Sequence, residues 1–283
     1  ICDPSGVLIN DPVLLKISTD EIWLSIADND LKLWVSAIAF TNKMDVKISM
    51  PDVFPLAIQG PKAEDIINIV FGDLASRLRK FHFIQTEIDG IRVILARSGW
   101  SKQGGFEIYL MDASRATHLW DLIIESGKRF NIGPGSPNYI ERIESGLISI
   151  GCDTDDSTNP FEMGLGKFVE LTCEANFIGK HALKEIQSLP LKREFTGIEI
   201  SGNPLEKNIS ESWKISNGGR NIGFISAAAY SPRLQKNIGL GIIELDAIKP
   251  NSSMTVHCEG ENREGILRPL PFGKPAMDNK IYA

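Results

Sequence analysis

The run Arg97-Ser98-Gly99-Trp100-Ser101-Lys102-Gln103-Gly104-Gly105-Phe106-Glu107-Ile108-Tyr109 sets an indole, a lysine, a carboxylate and a phenol around three glycines. Glycine costs conformational entropy inside a helix or strand, so clustering it beside reactive side chains points to a shaped loop. The loop runs into Phe106-Glu107-Ile108-Tyr109-Leu110. Strand alternation there puts Glu107 and Tyr109 on one side and Phe106, Ile108 and Leu110 on the other. A carboxylate and a phenol two apart can face one cavity, the first binding polar ring nitrogens and the second stacking. The plainer alternative is a surface hairpin with an amphipathic exit strand.

Other residues with chemical potential are scattered along the chain. Asn10-Asp11-Pro12 interrupts an apolar run, where a carboxylate is costly to bury without partners and the proline marks a sheet edge or bulge; a simple Asp-Pro turn explains it equally well. Arg142 and Glu144 fall on one helical segment, two apart, so they do not face each other. A solvated helix face is the default there, with Glu144 close enough to the apolar stripe to point partly inward. Asp153, Asp155, Asp156 and Glu162 crowd around Asn159-Pro160-Phe161. Their spacing is not that of a calcium-binding loop, and an acidic solvated loop is expected. Ser101-Lys102 resembles a nucleophile pair only superficially, because neither a G-x-S-x-G elbow nor a phosphate-binding G-x-x-x-x-G-K-[ST] loop is present. Arg77, Arg79 and Lys80 form a small basic cluster, ordinarily plain surface but able to meet an anionic tail.

These residues need elements to position them, and 283 residues suffice for two domains with filled cores. A hydrophobic fraction of 42% and a charged fraction of 23% are those of an ordinary soluble protein. A net charge of −6 argues against a sequence-independent nucleic-acid binder. No apolar run reaches the ~18–20 residues that span a bilayer. The chain opens at Ile1-Cys2-Asp3, without an initiator methionine, and an upstream portion is expected. Cys2, Cys152, Cys173 and Cys258 form no C-x-x-C pair and are expected as buried reduced thiols; a metal centre is not expected.

Periodicity predicts strands over 7–17 and 22–27, then a helix over 30–40 capped by Asp28 or Asp30. A short strand pair is expected at 46–50 and 55–59, followed by a helix opened by Gly60-Pro61-Lys62 and stopping near Gly72. Asp89-Gly90 joins strands 83–88 and 91–96 as a hairpin. Amphipathic helices are predicted near 114–126 and over 138–150. From Phe195 onward come short strands at 196–200, 213–216, 222–226, 238–243 and 253–257, in the manner of a small barrel or sandwich. The expected class is α+β: residues 1–190 as a first domain of antiparallel sheets with packed helices, and 191–283 as an all-β second domain.

Taken together, the segments resemble the glycine-cleavage T-protein family of tetrahydrofolate-dependent methyl and methylene transferases over essentially the whole chain. The marks are Pro55-Leu56-Ala57-Ile58-Gln59-Gly60-Pro61, Arg142-Ile143-Glu144-Ser145-Gly146-Leu147 and Asn159-Pro160-Phe161-Glu162. Ile222-Gly223-Phe224-Ile225-Ser226, Ser231-Pro232-Arg233-Leu234 and Asn237-Ile238-Gly239-Leu240-Gly241 look like the family's terminal barrel. Within the family, 9–16, 96–109 and 137–146 are most similar to the branch that demethylates dimethylsulfoniopropionate. General T-proteins carry a G-Y-T-G-E-like loop and an Asp-Asp pair, where this chain has Gly99-Trp100-Ser101-Lys102-Gln103 and Asn10-Asp11. The K-G-C-Y-x-G-Q signature of the iron–sulfur-assembly members is absent.

The resemblance implies methyl transfer from dimethylsulfoniopropionate to N5 of tetrahydrofolate, giving methylmercaptopropionate and 5-methyltetrahydrofolate without a metal. It implies that Asp11 lines the reaction centre, with Tyr109 the other residue at the chemistry, and that Ser25 and Trp100 bind substrate. Trp100 and Tyr109 would shape the folate and sulfonium pocket, and Glu107 and Glu144 would bind polar atoms of the pterin. The partners implied are a small sulfonium and folate, with no nucleic acid and no membrane; a cytoplasmic location follows, and a homodimer is left open. At Leu74 the demethylating branch carries a tryptophan, and its loss near a cationic sulfonium would remove ~0.5–2 kcal/mol of cation–π attraction. The alternatives are a T-protein-like aminomethyltransferase, a demethylase of an N-methyl glycine derivative, or a folate-binding protein without catalysis.

Overall fold

In the computed structural model, residues 1–27, 30–99, 103–247 and 253–273 are described. In chain order the elements are β1 (Val13–Lys16), β2 (Ile22–Ser25), α1 (Lys32–Thr41), β3 (Phe54–Gln59), α2 (Ala63–Phe71), α3 (Leu74–Arg77), β4 (Phe83–Ile88), β5 (Ile91–Ala96), β6 (Gly105–Leu110), α4 (Ala116–Gly127), α5 (Tyr139–Ser145), α6 (Lys180–Ser188), β7 (Arg193–Ile200), β8 (Trp213–Asn217), β9 (Arg220–Ser231), β10 (Lys236–Glu244), β11 (Met254–Cys258) and β12 (Glu261–Arg268). The class is α+β, as expected. The described residues form two compact units, one from Leu15–Glu21 and Asp30–Asn138, the other from Ile1–Leu14, 22–27 and Tyr139–Gly273.

The first unit is built on an antiparallel sheet of order β3-β6-β5-β4. Asp89 and Gly90 take positive φ values of 46° and 71°, the geometry that a two-residue turn needs to match strand twist, and β4 and β5 pair from Phe83↔Ala96 to Ile88↔Ile91. One sheet face presents Ile58, Val93, Leu95, Phe106, Ile108 and Leu110 to Ile66, Ile67 and Phe71 of α2 and to Leu119 and Ile123 of α4. Glu64 and Asp65 sit in the first turn of α2, where carboxylates suit the helix dipole. Asp30 Oδ1 accepts from the Lys32 N–H at 2.8 Å at the start of α1; Asp28 lies outside the described residues.

The second unit holds a closed six-stranded barrel of order β10-β7-β12-β11-β8-β9. Closure removes the unpaired edges that a six-stranded open sheet would expose. Ile198, Ile215, Ile225 and Val256 form one core cluster of the barrel, and Leu240, Ala227, Ile242 and Phe195 pack with Ile143 of α5 in a second.

Several expected boundaries move. Residues 46–50 form no strand; β3 pairs instead with β6, Phe54↔Leu110 through Gln59↔Gly105. Of 7–17 only Val13–Lys16 is strand, with an isolated bridge from Cys2 to Leu8. The helix expected over 138–150 ends at Ser145 because Gly146 turns left-handed at φ 63° and the Leu147 N–H closes back on the Arg142 carbonyl at 3.0 Å. Helix α6 and strand β12 were not foreseen.

Candidate functional site

Strand β6 delivers the alternation read from its sequence. Phe106, Ile108 and Leu110 enter the core against the helices, so Glu107 and Tyr109 stand on the opposite face. This is no surface hairpin: β6 lies inside the sheet and Tyr109 is only 5% exposed. Glu107 is half-buried and paired across the sheet with the short side chains of Ala57 and Ala96, while Tyr109 lies between Pro55 and Ile94. The Tyr109 hydroxyl donates to Glu107 Oε2 at 3.5 Å, the outer limit of a hydrogen bond. Ser98, itself buried, donates its hydroxyl to the same Oε2. Among the described residues both donors converge on Oε2, and no protein donor sits on Oε1.

The glycine-rich loop has a steric reason. The Gln59 carboxamide lies across it and donates to the Ser98 carbonyl at 3.4 Å and the Phe106 carbonyl at 3.3 Å. A Cβ on Gly99 would come within 2.2 Å of Gln59 Oε1, and one on Gly105 within 2.5 Å of Gln59 Nε2. Just before the loop, Arg97 donates to the Ala75 and Leu78 carbonyls at 3.2 and 3.1 Å and pairs with Glu64 at 2.7 Å. The described ends of this stretch are thus pinned, Arg97 to α2 and α3 and the Ser98 and Phe106 carbonyls to Gln59 of β3. Sequence reasoning quoted Ser98 without giving it a role and did not single out Gln59. The signal available for both was position: a hydroxyl at the loop's entry, and a carboxamide ending a strand before Gly60-Pro61.

The other expected site residues lie outside β6. Asp11 is exposed and leads into β1, beside Asn10, which is 2% exposed. Ser25 ends β2, half-buried. Trp100, with Ser101 and Lys102, lies outside the described residues. Glu144 is on α5, 7% exposed. Ser231 donates to its Oε1, and Arg233 meets its Oε2 through Nε at 2.7 Å and Nη2 at 2.6 Å.

The solvated readings are corrected at Arg142, Glu144, Asp153 and Glu162, which are buried, while Asp155 and Asp156 are exposed as expected. Arg142 and Asp153 are a buried pair at 2.7 Å, their side chains 8% and 0% exposed. Arg142 also donates to the Leu147 carbonyl at 2.9 Å, and Asp153 accepts from the Ser149 N–H at 2.7 Å and from the Ser226 hydroxyl. Glu162, also buried, receives Arg193 Nε at 2.6 Å and the Asn159 N–H at 2.9 Å. Burial pushes the Asp155 carboxyl up, but hydrogen bonds from Ser157 and Thr158 and the charge of Arg193 outweigh it and hold it at about 2. Asp153, Asp155 and Glu162 are fasteners, because an oppositely charged or hydrogen-bonding partner sits on each of the three.

Leu74 packs against the core on the helix side of the sheet. Arg77 lies 3.7 Å from Asp73, both exposed. The four cysteines form no disulfide but are not buried: Cys152 is exposed and the others half-exposed. Among the described residues no group of three or more His, Cys, Asp or Glu could hold a metal, and no helix is long and apolar enough to cross a membrane.

Residues 1–173 match the GCVT N-terminal domain and residues 193–274 the glycine cleavage T-protein C-terminal barrel domain. The chain is 38% identical over 268 residues to dimethylsulfoniopropionate demethylase DmdA of Ruegeria pomeroyi, covering 94% of this chain and 72% of that one. It is 32% identical over 289 residues to an aminomethyltransferase of Caldanaerobacter subterraneus, covering 100% of this chain and 73% of that one. Its fold superposes on glycine cleavage system aminomethyltransferase T from Bartonella henselae with a TM-score of 0.76 at 19% identity, over 96% of this chain and 74% of the other.

Proposed function

Because the chain belongs to the glycine cleavage T-protein family, we propose that it is a tetrahydrofolate-dependent methyltransferase acting on dimethylsulfoniopropionate. The observation that carries the donor is the 38% identity to the Ruegeria demethylase, against 32% to the aminomethyltransferase. The products are methylmercaptopropionate and 5-methyltetrahydrofolate. Transfer breaks a carbon–sulfur bond whose electron pair stays on sulfur and makes a carbon–nitrogen bond at N5, and the N5 proton leaves to solvent. A sulfonium is already activated as a methyl donor, so the protein's work is positioning and charge stabilisation.

The donor set on β6 suits a pterin. Glu107 keeps Oε1 clear of donors among the described residues, and the flanking Ala57 and Ala96 add little bulk. A carboxylate so placed accepts the N–H groups of a pterin edge, and Tyr109 offers its ring and hydroxyl beside it. Glu144 is the lesser contact in this reading: a carboxylate has about four acceptor positions, and Ser231 and Arg233 fill three of them. Trp100 is assigned to the aromatic wall around the sulfonium and Ser25 to the substrate. Asp11 is assigned to the reaction centre, where its charge stabilises positive charge developing on the folate side.

In chain order the folate-binding domain is set at 1–190 and the barrel domain at 191–283, the boundary falling between the end of α6 at Ser188 and the start of β7 at Arg193. The reading keeps the acidic chain away from nucleic acid and puts it in the cytoplasm, a reducing compartment suited to four cysteines that form no disulfide. A homodimer is compatible with it, and light scattering measures that directly.

The test is incubation with dimethylsulfoniopropionate and tetrahydrofolate. Sulfonium-dependent methylmercaptopropionate and 5-methyltetrahydrofolate in equal amounts are expected. Amine-dependent methylene product without a sulfonium reaction would make it an aminomethyltransferase, and tight folate binding with neither product a non-catalytic binder. Asp11→Ala is expected to lower kcat by about 10²–10³-fold and to leave tetrahydrofolate affinity within about threefold, less than ~1 kcal/mol. Equal losses in both would remove Asp11 from the chemical step.

A further inference from the structure

We propose that Ser98 is a positioning residue for the folate carboxylate Glu107: its hydroxyl holds Oε2 so that Oε1 is presented to the pterin. The proposal rests on the reading that Glu107 binds the pterin, and adds how that carboxylate is aimed. Three observations meet at Ser98. The hydroxyl donates to Glu107 Oε2 from a residue only 7% exposed, so water competes poorly for the donor. Its backbone is fixed independently, because the Ser98 carbonyl accepts from Gln59 Nε2 and Arg97, one residue earlier, is anchored to the Ala75 and Leu78 carbonyls. The Tyr109 hydroxyl reaches the same Oε2 at 3.5 Å, too far to hold the carboxylate alone.

A glutamate on a strand has three side-chain torsions, and its last one is broad. Without a second donor the carboxylate of Glu107 would sample several orientations over a face flanked by two alanines. Selecting one orientation before the ligand arrives removes an ordering cost from binding. Ser98 does this without touching the ligand, so its effect must pass through Glu107.

Tetrahydrofolate affinity is measured by titration calorimetry on the wild-type protein and on Ser98→Ala, Ser98→Thr, Glu107→Gln and the double variant Ser98→Ala/Glu107→Gln. Loss of a hydrogen bond to a charged group predicts a Kd about tenfold higher for Ser98→Ala. Ser98→Thr, which keeps the hydroxyl, should return to within about twofold of wild type, and Ser98→Ala should add nothing once Glu107 is glutamine. An undiminished Ser98→Ala effect in the Glu107→Gln background, or equal losses in Ser98→Ala and Ser98→Thr, overturns the positioning role while leaving Glu107 as the pterin ligand. An unchanged Kd in Glu107→Gln instead overturns the underlying reading. Should Ser98→Ala fail to fold, Ser98→Cys takes its place, keeping the shape with a weak donor.

Discussion

Glu107 and Glu144 are the same residue type, both tied by family resemblance to the same ligand, and the fold treats them in opposite ways. Glu107 stands half-buried on a strand, with its two protein donors among the described residues gathered on one oxygen. Glu144 is buried on α5, with Ser231 on one oxygen and the Arg233 guanidinium on the other. The difference lies in which atoms remain unclaimed. A carboxylate whose acceptors are mostly taken by its own chain contributes to stability; one with an oxygen left over is available to a ligand. Asp153 and Glu162 follow Glu144, each buried and each met by an arginine. Two regions of one protein thus treat carboxylates differently: around the barrel their oxygens are met by arginine, and on the sheet one oxygen of Glu107 is clear of protein donors among the described residues, as the proposed pterin contact requires.

The largest effect expected from this contrast falls on the most deeply buried pair. Asp153→Ala strips the partner from Arg142, whose side chain is 8% exposed, and an unpaired buried guanidinium costs about 3–5 kcal/mol. Denaturant unfolding should show the loss directly, and a change below ~1 kcal/mol would mean that the pair is not a fastener. The next effect is a crossing. Glu107→Gln should raise the tetrahydrofolate Kd by about 10–100-fold with a melting temperature close to wild type. Glu144→Gln should do the reverse, losing about 1–3 kcal/mol of stability with affinity changed by about threefold or less. Matching behaviour in the two variants would erase the distinction between the regions.

Much of the sheet face was legible in the sequence, because strand alternation is a local rule: Phe106, Ile108 and Leu110 against Glu107 and Tyr109 needed no tertiary information. The Asp89-Gly90 hairpin was legible for the same reason. The fasteners were not. Arg142 and Asp153 are far enough apart in sequence that nothing local joins them, and an acid-rich stretch has the composition of a solvated loop until an arginine arrives from elsewhere. Arg193, which neutralises Glu162, comes from the first barrel strand, 31 residues on. Strand β12 was hidden by its composition, since Glu261-Asn262-Arg263-Glu264 reads as polar turn although Gly265 packs beneath Val256 in the closed barrel. Ser98 was passed over because a serine before glycine is ordinary in a loop, and only the β5–β6 register, which sets Ala96 opposite Glu107, shows what its hydroxyl meets.

The smallest effect is also the one that tests whether exposure weakens a fastener. Asp155 belongs to the same acidic stretch as Asp153 but keeps 41% of its side chain in solvent. Its carboxyl lies at about 2, against an ordinary aspartate value of about 3.9. A pKa lowered by folding means that the ionised form is the one the native state favours. Its contribution is therefore complete above about pH 4, declines as acid protonates the group, and is gone below about pH 2. Solvent screening at a site this exposed keeps it below ~1 kcal/mol. Acid titration of unfolding free energy should show the wild-type protein losing more than Asp155→Asn between about pH 4 and pH 2, and the two should run parallel above that window. Parallel curves across the whole range would show that Ser157, Thr158 and Arg193 hold the loop's shape without favouring its charge. The fastening role would then rest with the buried acids alone.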